Sequence, residues 1–285
     1  MSNVKLAVIG GSGLYGMNDL EKVKEIDVPT PFGNPSDAVT IVNFQDTEVA
    51  FLPRHGRNHT IPPTNIPSKA NIYALKTLGV ESIVSISAVG SLQEYLRPMD
   101  LVVPDQLIDR TRNRKNTFFD CGVVAHIGFS DPFCPVLSSK IYECAEAVSG
   151  RVHLGGTYVV IEGPAFSSRA ESNMYRSWKA DIIGMTALPE AKLAREAEIC
   201  YSTLACVTDY DCWHDAEEVV TVEMIIDNLQ KNIANSQDIL RKIIPIVMDG
   251  DCNCRNALKD SILTQLDRIP LDLKEKMRPI IGKYL

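Results

Sequence analysis

Apolar positions along the chain fall into short, β-branched runs that alternate with longer stretches of helical period, the pattern of an α/β protein. Val4 to Ile9 reads as a buried strand ending in Gly10-Gly11-Ser12-Gly13, and Val39 to Phe44 with Glu48 to Leu52 as a hairpin pair around Gln45-Asp46-Thr47. Lys69 to Leu78 predicts a helix stopped by Gly79, where the chain needs a residue free to turn left-handed. Strands follow at Ile83 to Ala88, running into Gly90, and at Leu101 to Val103, stopped by Pro104. A helix over Val136 to Val148 closes on Gly150, and Thr157 to Ile161 is a strand entering Glu162-Gly163-Pro164. Pro189 to Ala197 carries a proline near a helix start, Ile199 to Val207 is again a strand, and Thr221 to Ile244 is a long helical region. Met248 to Arg255 interrupts the pattern, and Asn256 to Leu285 resumes as shorter helices. Residues 1–247 are therefore expected to form one large domain and 248–285 a helical appendage.

Composition narrows the classes. With 285 residues and 45% hydrophobic content, the chain is long enough to bury a large core, which excludes a disordered or collagen-like protein. Its 29 basic and 36 acidic residues give a formal net charge of −7, a field that repels nucleic acid and anionic membrane. The longest apolar stretches, such as Ile243 to Met248, are far shorter than the roughly 18 residues of a membrane span. The start lacks the apolar core and cleavage pattern of a secretory leader, so a cytoplasmic location is expected. Eight cysteines form no paired C-x-x-C pattern, His126 and His153 stand alone, and no metal ligand set is expected from spacing. No G-x-S-x-G elbow occurs, which disfavours a serine hydrolase.

Several segments carry candidate chemistry. Gly11-Ser12-Gly13-Leu14-Tyr15-Gly16 matches the dinucleotide fingerprint G-x-G-x-x-G after a strand. The residues after it have little apolar stripe, and Pro29, Pro31 and Pro35 interrupt the place of the required second strand. A nicotinamide-dependent oxidoreductase stays open, beside a glycine-rich turn for a smaller anion and a plain tight turn. Arg54-His55-Gly56-Arg57-Asn58-His59 puts four basic side chains at a strand end, either a solvated loop or an oxyanion site. Ser85 to Ser91 is a strand end of small residues that either permits close packing or presents hydroxyl and N–H donors. Met185 and Thr186 precede a helix, as core filler and turn hydroxyl or as ligand contacts. Asp209 and Asp211 alternate along an extended segment and so share one side, either as an acidic turn or as a pair whose pKa values rise together, suited to proton donation.

Taken in order, these segments resemble the purine nucleoside phosphorylase superfamily, and within it the 5′-methylthioadenosine phosphorylase branch. The blocks are Ala7 to Gly13, Thr30-Pro31-Phe32-Gly33, Arg54 to His59, Ser87 to Ser91, Asp109-Arg110-Thr111, Glu162-Gly163-Pro164, Phe166-Ser167, Met185-Thr186 and Thr208 to Trp213. The resemblance implies a mixed sheet bent toward a barrel and flanked by helices, and a homotrimer or homohexamer. It implies phosphorolysis of a methylthioadenosine-like nucleoside by inorganic phosphate, without cofactor or metal; a broader adenosine or 6-oxopurine nucleoside phosphorylase is the alternative. It maps phosphate binding onto Ser12, Arg54, His55, Ser87, Ala88 and Thr186, ribose onto Met185, and purine onto Phe166, Asp209 and Asp211. Asp209 is read as the N7 proton donor and Asp211 as the acceptor of the 6-amino group. The 5′ group is expected against Val222 and Ile225, capped by His126 of a neighbouring subunit. Ala165 and Gly184 stand where the branch often has arginine and asparagine, and the last 40 or so residues, with Cys252-Asn253-Cys254, resemble cysteine-rich archaeal members that carry disulfides.

Overall fold

The computed structural model describes residues 4–11, 14, 17, 20–214, 222–247 and 251–285, without the side chains of 222, 224, 225, 229 and 230. The strands are β1 (Leu6–Gly10), β2 (Glu21–Ile26), β3 (Val39–Phe44), β4 (Thr47–Pro53), β5 (Ser82–Ser91), β6 (Leu101–Val103), β7 (Gln106–Arg110), β8 (Val152–Leu154), β9 (Thr157–Ile161), β10 (Ile182–Gly184) and β11 (Cys200–Asp209). The helices are α1 (Ser68–Thr77), α2 (Pro135–Glu146), α3 (Arg169–Ser177), α4 (Ala187–Glu196), α5 (Val222–Ile243) and α6 (Leu271–Ile281).

The strands join in one mixed sheet whose main path is β2-β3-β4-β1-β5-β10-β9-β7, with β11, β6 and β8 branching from β5. Among the described residues no pairing closes the sheet into a barrel. β1, β5 and β11 are continuous apolar or small-residue runs because both faces are covered; all ten residues of β11 are buried. One layer of core packs Ile9, Ile41, Leu52, Ile83 and Tyr158 against α1 and α4, and a second packs Leu6, Phe51, Leu204 and Ile239 against α2 and α5. The chain after residue 251 contributes to the first layer through Leu258, Leu273, Met277 and Ile281, and Tyr73 on α1 donates to the Lys276 carbonyl at 2.9 Å. None of the described helices is long and apolar enough to cross a membrane.

The branch point places the site. β5 pairs with β1 in parallel over Ser82 to Ser85, then with β10 antiparallel at Gly90 and Ser91. Its opposite edge stays paired with β11 from Ser82 to Gly90. Between the two changes of partner, Ile86 to Val89 border a seam in the sheet.

Candidate active site

A cavity of about 300 Å³ occupies that seam. Gly11, Arg54, His55, Ile86 to Gly90, Phe166, Gly184 to Thr186, Asp209, Asp211 and Ile233 line it.

Arg54 follows β4 and turns inward to 2% exposure. Its guanidinium donates to the carbonyls of Ile9 (3.2 Å) and Ile86 (3.1 Å), where β1 and β5 part, and to Ser85 Oγ (2.7 Å). Nε and Nη2 form a two-point pair with Glu190 at 2.9 and 3.0 Å, and Tyr201 donates to the same carboxylate at 2.8 Å. Burial disfavours the Arg54 cation, but the Glu190 charge and hydrogen bonds outweigh it and raise the pKa. His55 meets the Ile61 carbonyl through Nδ1 at 2.8 Å; a carbonyl only accepts, so Nδ1 carries the proton and Nε2 the lone pair. Burial, ahead of the Arg54 charge, pushes the His55 pKa down to about 4, so the ring is neutral near pH 7.

Among the described residues, Ser87 Oγ, Thr186 Oγ1 and Tyr158 OH are three of five buried hydroxyls without a close hydrogen bond inside the protein, although Ser87 and Thr186 both interact with the Tyr158 hydroxyl. Buried donors are almost always satisfied, and Ser87 and Thr186 both line the cavity, where a polar ligand would meet them. Tyr158 also explains Gly184. A Cβ at position 184 would lie 2.4 Å from the Tyr158 hydroxyl, so in this chain the tyrosine fills the space a larger residue would need.

Asp209 ends β11 at 5% exposure, accepting from the Thr208 hydroxyl (2.6 Å) and from the Asp211 N–H (2.8 Å). The second bond is the i to i+2 contact of an Asx turn, and Asp211 adopts a left-handed φ of 53°. A turn, not the extended alternation expected from sequence, therefore brings both carboxylates to the cavity. Burial is the main reason the Asp211 pKa is raised. Gly90 makes room for the pair: a Cβ there would meet Asp209 Oδ1 at 2.9 Å. Asn228 on α5 donates to the Thr208 carbonyl at 2.7 Å and ties the helix to this strand end.

The chain matches the family model described as "Phosphorylase superfamily" over residues 5–245. This protein belongs to the phosphorylase superfamily. It is 54% identical to the S-methyl-5′-thioadenosine phosphorylase of Thermosynechococcus vestitus, with 99% of each chain covered. It is also 54% identical to that of Gloeobacter violaceus over 98% of this chain and 96% of that one. A methylthioadenosine phosphorylase from an antarctic soil metagenomic library superposes with a TM-score of 0.94 at 45% identity, covering 98% and 99% of the two chains. The Schistosoma mansoni methylthioadenosine phosphorylase in complex with adenine superposes at 0.85 with 35% identity over 91% of this chain and 99% of that one.

Within the superfamily frame, the sequence-predicted residues Arg54, His55, Ser87, Ala88, Phe166, Met185, Thr186, Asp209 and Asp211 all line one cavity. Ser12 and the side chains of Val222 and Ile225 lie outside the described residues. Among the described residues, Ile233 and Ser236 line the cavity from α5. His126 is exposed, its N–H donating to the Ser261 carbonyl at 2.9 Å, and it does not reach the cavity of its own chain. The dinucleotide reading required a helix after the glycine segment, a stretch that lies largely outside the described residues; among the described residues the next strand or α-helix is β2, an exposed edge strand.

Sequence reasoning missed the residues that hold the lining in place. Arg114 donates to the carbonyls of Met185 (2.5 Å), Leu188 (2.6 Å) and Ile161 (3.2 Å), fixing the turn that carries Met185 and Thr186. Glu190 does the same for Arg54. Their partners lie 47 to 136 positions away, beyond any local motif.

Proposed function

We propose that this chain catalyses phosphorolysis of 5′-methylthioadenosine to adenine and 5-methylthioribose 1-phosphate, with inorganic phosphate as co-substrate. One observation carries the reading: the Ser87 and Thr186 hydroxyls, without a close hydrogen bond, line the cavity with Arg54, and two carboxylates line it with them. Ser87 and Gly90 are three residues apart on β5, roughly 10 Å, so oxyanion and base would sit on one strand with the sugar between them.

At the oxyanion end Ser87, Thr186 and the second Nη1 hydrogen of Arg54 donate to phosphate. Neutral His55 accepts the proton of a phosphate hydroxyl at Nε2. Phosphate attacks C1′ with inversion as the bond to N9 breaks, and the electron pair goes to the purine. Asp209 delivers a proton to N7, and Asp211 accepts from the 6-amino group. A 6-oxo base places an acceptor against that carboxylate and is disfavoured. Met185 packs against the ribose and Phe166 against the base. The same reading makes the enzyme a cytoplasmic homotrimer or homohexamer in which exposed His126 reaches a neighbouring copy's cavity.

The test is release of free base from a panel of nucleosides with and without phosphate. We expect phosphate-dependent adenine release from methylthioadenosine and slower turnover of inosine. Turnover independent of phosphate, or inosine cleaved as fast as adenosine, overturns the reading. A fully active monomer in sedimentation removes its subunit-sharing part.

A further inference from the structure

Four of the eight cysteines meet away from the cavity. Cys134 is the N-cap residue of α2, and its N–H donates to the Tyr201 carbonyl at 2.8 Å. Cys200 opens β11, and Cys252 and Cys254 flank Asn253 on the turn that begins the C-terminal segment. The four Sγ atoms all lie within 4.8 Å of one another, with Cys200 and Cys252 at 3.0 Å. Cys134, Cys200 and Cys254 are buried and Cys252 is half-buried. All eight cysteines are free thiols.

Neutral thiols are weak donors and weak acceptors, so mutual hydrogen bonding gives little reason to gather four of them. A single ion does give one. Zinc with four thiolates at about 2.3 Å sets the sulfurs at the corners of a tetrahedron with edges of about 3.8 Å. Four sulfurs confined to 4.8 Å match that size. An iron–sulfur cluster places its thiolates on separate irons and needs a wider ring. We propose that Cys134, Cys200, Cys252 and Cys254 form a closed, structural site for one soft divalent cation, zinc by preference. Oxygen-preferring cations are excluded by an all-sulfur ligand set. With four protein ligands no position is left for water or substrate, and none of the four lines the cavity, so the ion takes no part in catalysis.

Binding converts four thiols to thiolates and releases their four protons, leaving the site with a net charge of −2. Two features suit that charge. Cys134 sits at the positive end of a twelve-residue helix. Arg195 and Arg255 border the same cleft as Cys252 and Cys254, and Arg255 keeps a buried Nε without an acceptor. The ion would clamp the C-terminal segment onto α2 and β11, the junction that leads the chain to α6.

Metal content of the protein purified under reducing conditions without chelator should be one zinc per chain. After zinc removal, Co²⁺ should bind with one-to-one stoichiometry and give the intense sulfur-to-cobalt charge-transfer absorption of a tetrathiolate. The Cys252→Ser/Cys254→Ser pair should lose that absorption, whereas Cys121→Ser, at an exposed thiol outside the cluster, should keep it. Should the double variant fail to fold, Cys252→His keeps four ligands and should retain one cobalt with an altered spectrum. Chelation should lower the melting temperature of the unmodified chain and leave Cys252→Ser/Cys254→Ser unmoved. Three results overturn the proposal: no sulfur-to-cobalt band, a band unchanged in the double variant, or disulfides joining these four cysteines in metal-free protein under non-reducing mass spectrometry.

Discussion

At the Arg54 end of the cavity the buried charges are met inside the chain, by a two-point Arg54–Glu190 pair with both side chains 2% exposed. At the other end Phe166 is 52% exposed, and the carboxylates come from the last residue of β11 and from the turn that follows it. The first end is set by strand backbones and long-range ion pairing, and the second by local turn chemistry beside open space. A rigid end suits an invariant, compact anion, whose binding loses nothing to reorganisation. A looser end suits a base and a 5′ substituent that must enter and leave. The comparison teaches that substitutions at the first end should cost folding stability, and those at the second should cost chemistry alone.

The largest expected effect tests the looser end. Asp209→Asn should cut turnover by roughly 10²–10⁴-fold with phosphate affinity nearly intact, because it removes the general acid but not the hydrogen-bonding shape. Asp211→Asn should mainly raise KM for the nucleoside. If steady-state kinetics give these effects in the reverse order, the roles of the two residues are exchanged; if neither changes the rate, the assignment fails. Next comes the rigid end. Glu190→Ala strands a buried guanidinium and should cost about 3–5 kcal/mol, a fall in melting temperature on the order of 10 °C. Glu190→Gln, which keeps an acceptor, should lose less. Equal melting curves for the alanine variant and the unmodified chain would sink the contrast.

The smallest effect is a pH dependence. Burial holds the His55 pKa at about 4, below the ordinary 6.5, so between those values the unfolded chain takes up a proton that the folded chain refuses. That contribution to stability is complete above about pH 6.5 and fades as the pH falls toward 4. Denaturant midpoints measured across this window should fall with acidification, and His55→Gln should flatten the slope. Parallel slopes in both proteins would dissociate His55 from the effect.

Legibility in the sequence followed the same division. β1, β3, β4, β5, β11, α1 and α5 were readable because both faces or one long stripe of each is apolar. β2, with the sequence EKVKEI and almost every residue exposed, offered no such pattern. α3 was passed over although Ser168 and Glu171 form a capping box visible as S-x-x-E. The cavity residues were found through resemblance more than through physics. Their supports, Arg114, Tyr158 and Glu190, act across the fold, where spacing carries no signal. The cysteine cluster escaped for the same reason: its ligands come from three segments separated in sequence, and only Cys252 and Cys254 are near neighbours.

The seam in β5 sets a trade-off that any attempt to harden this protein meets. Had β1 continued past Gly10 alongside β5, or β10 begun earlier, Ile86 to Val89 would gain regular neighbours and the sheet would be more complete. The fold would be sturdier and the cavity gone. Arg54 bridging the Ile9 and Ile86 carbonyls is the device that keeps the two strands apart without leaving those oxygens unmet. Activity here depends on an interruption that folding alone would favour closing, so stabilising changes belong on the outer helices and the C-terminal segment, and not along β5.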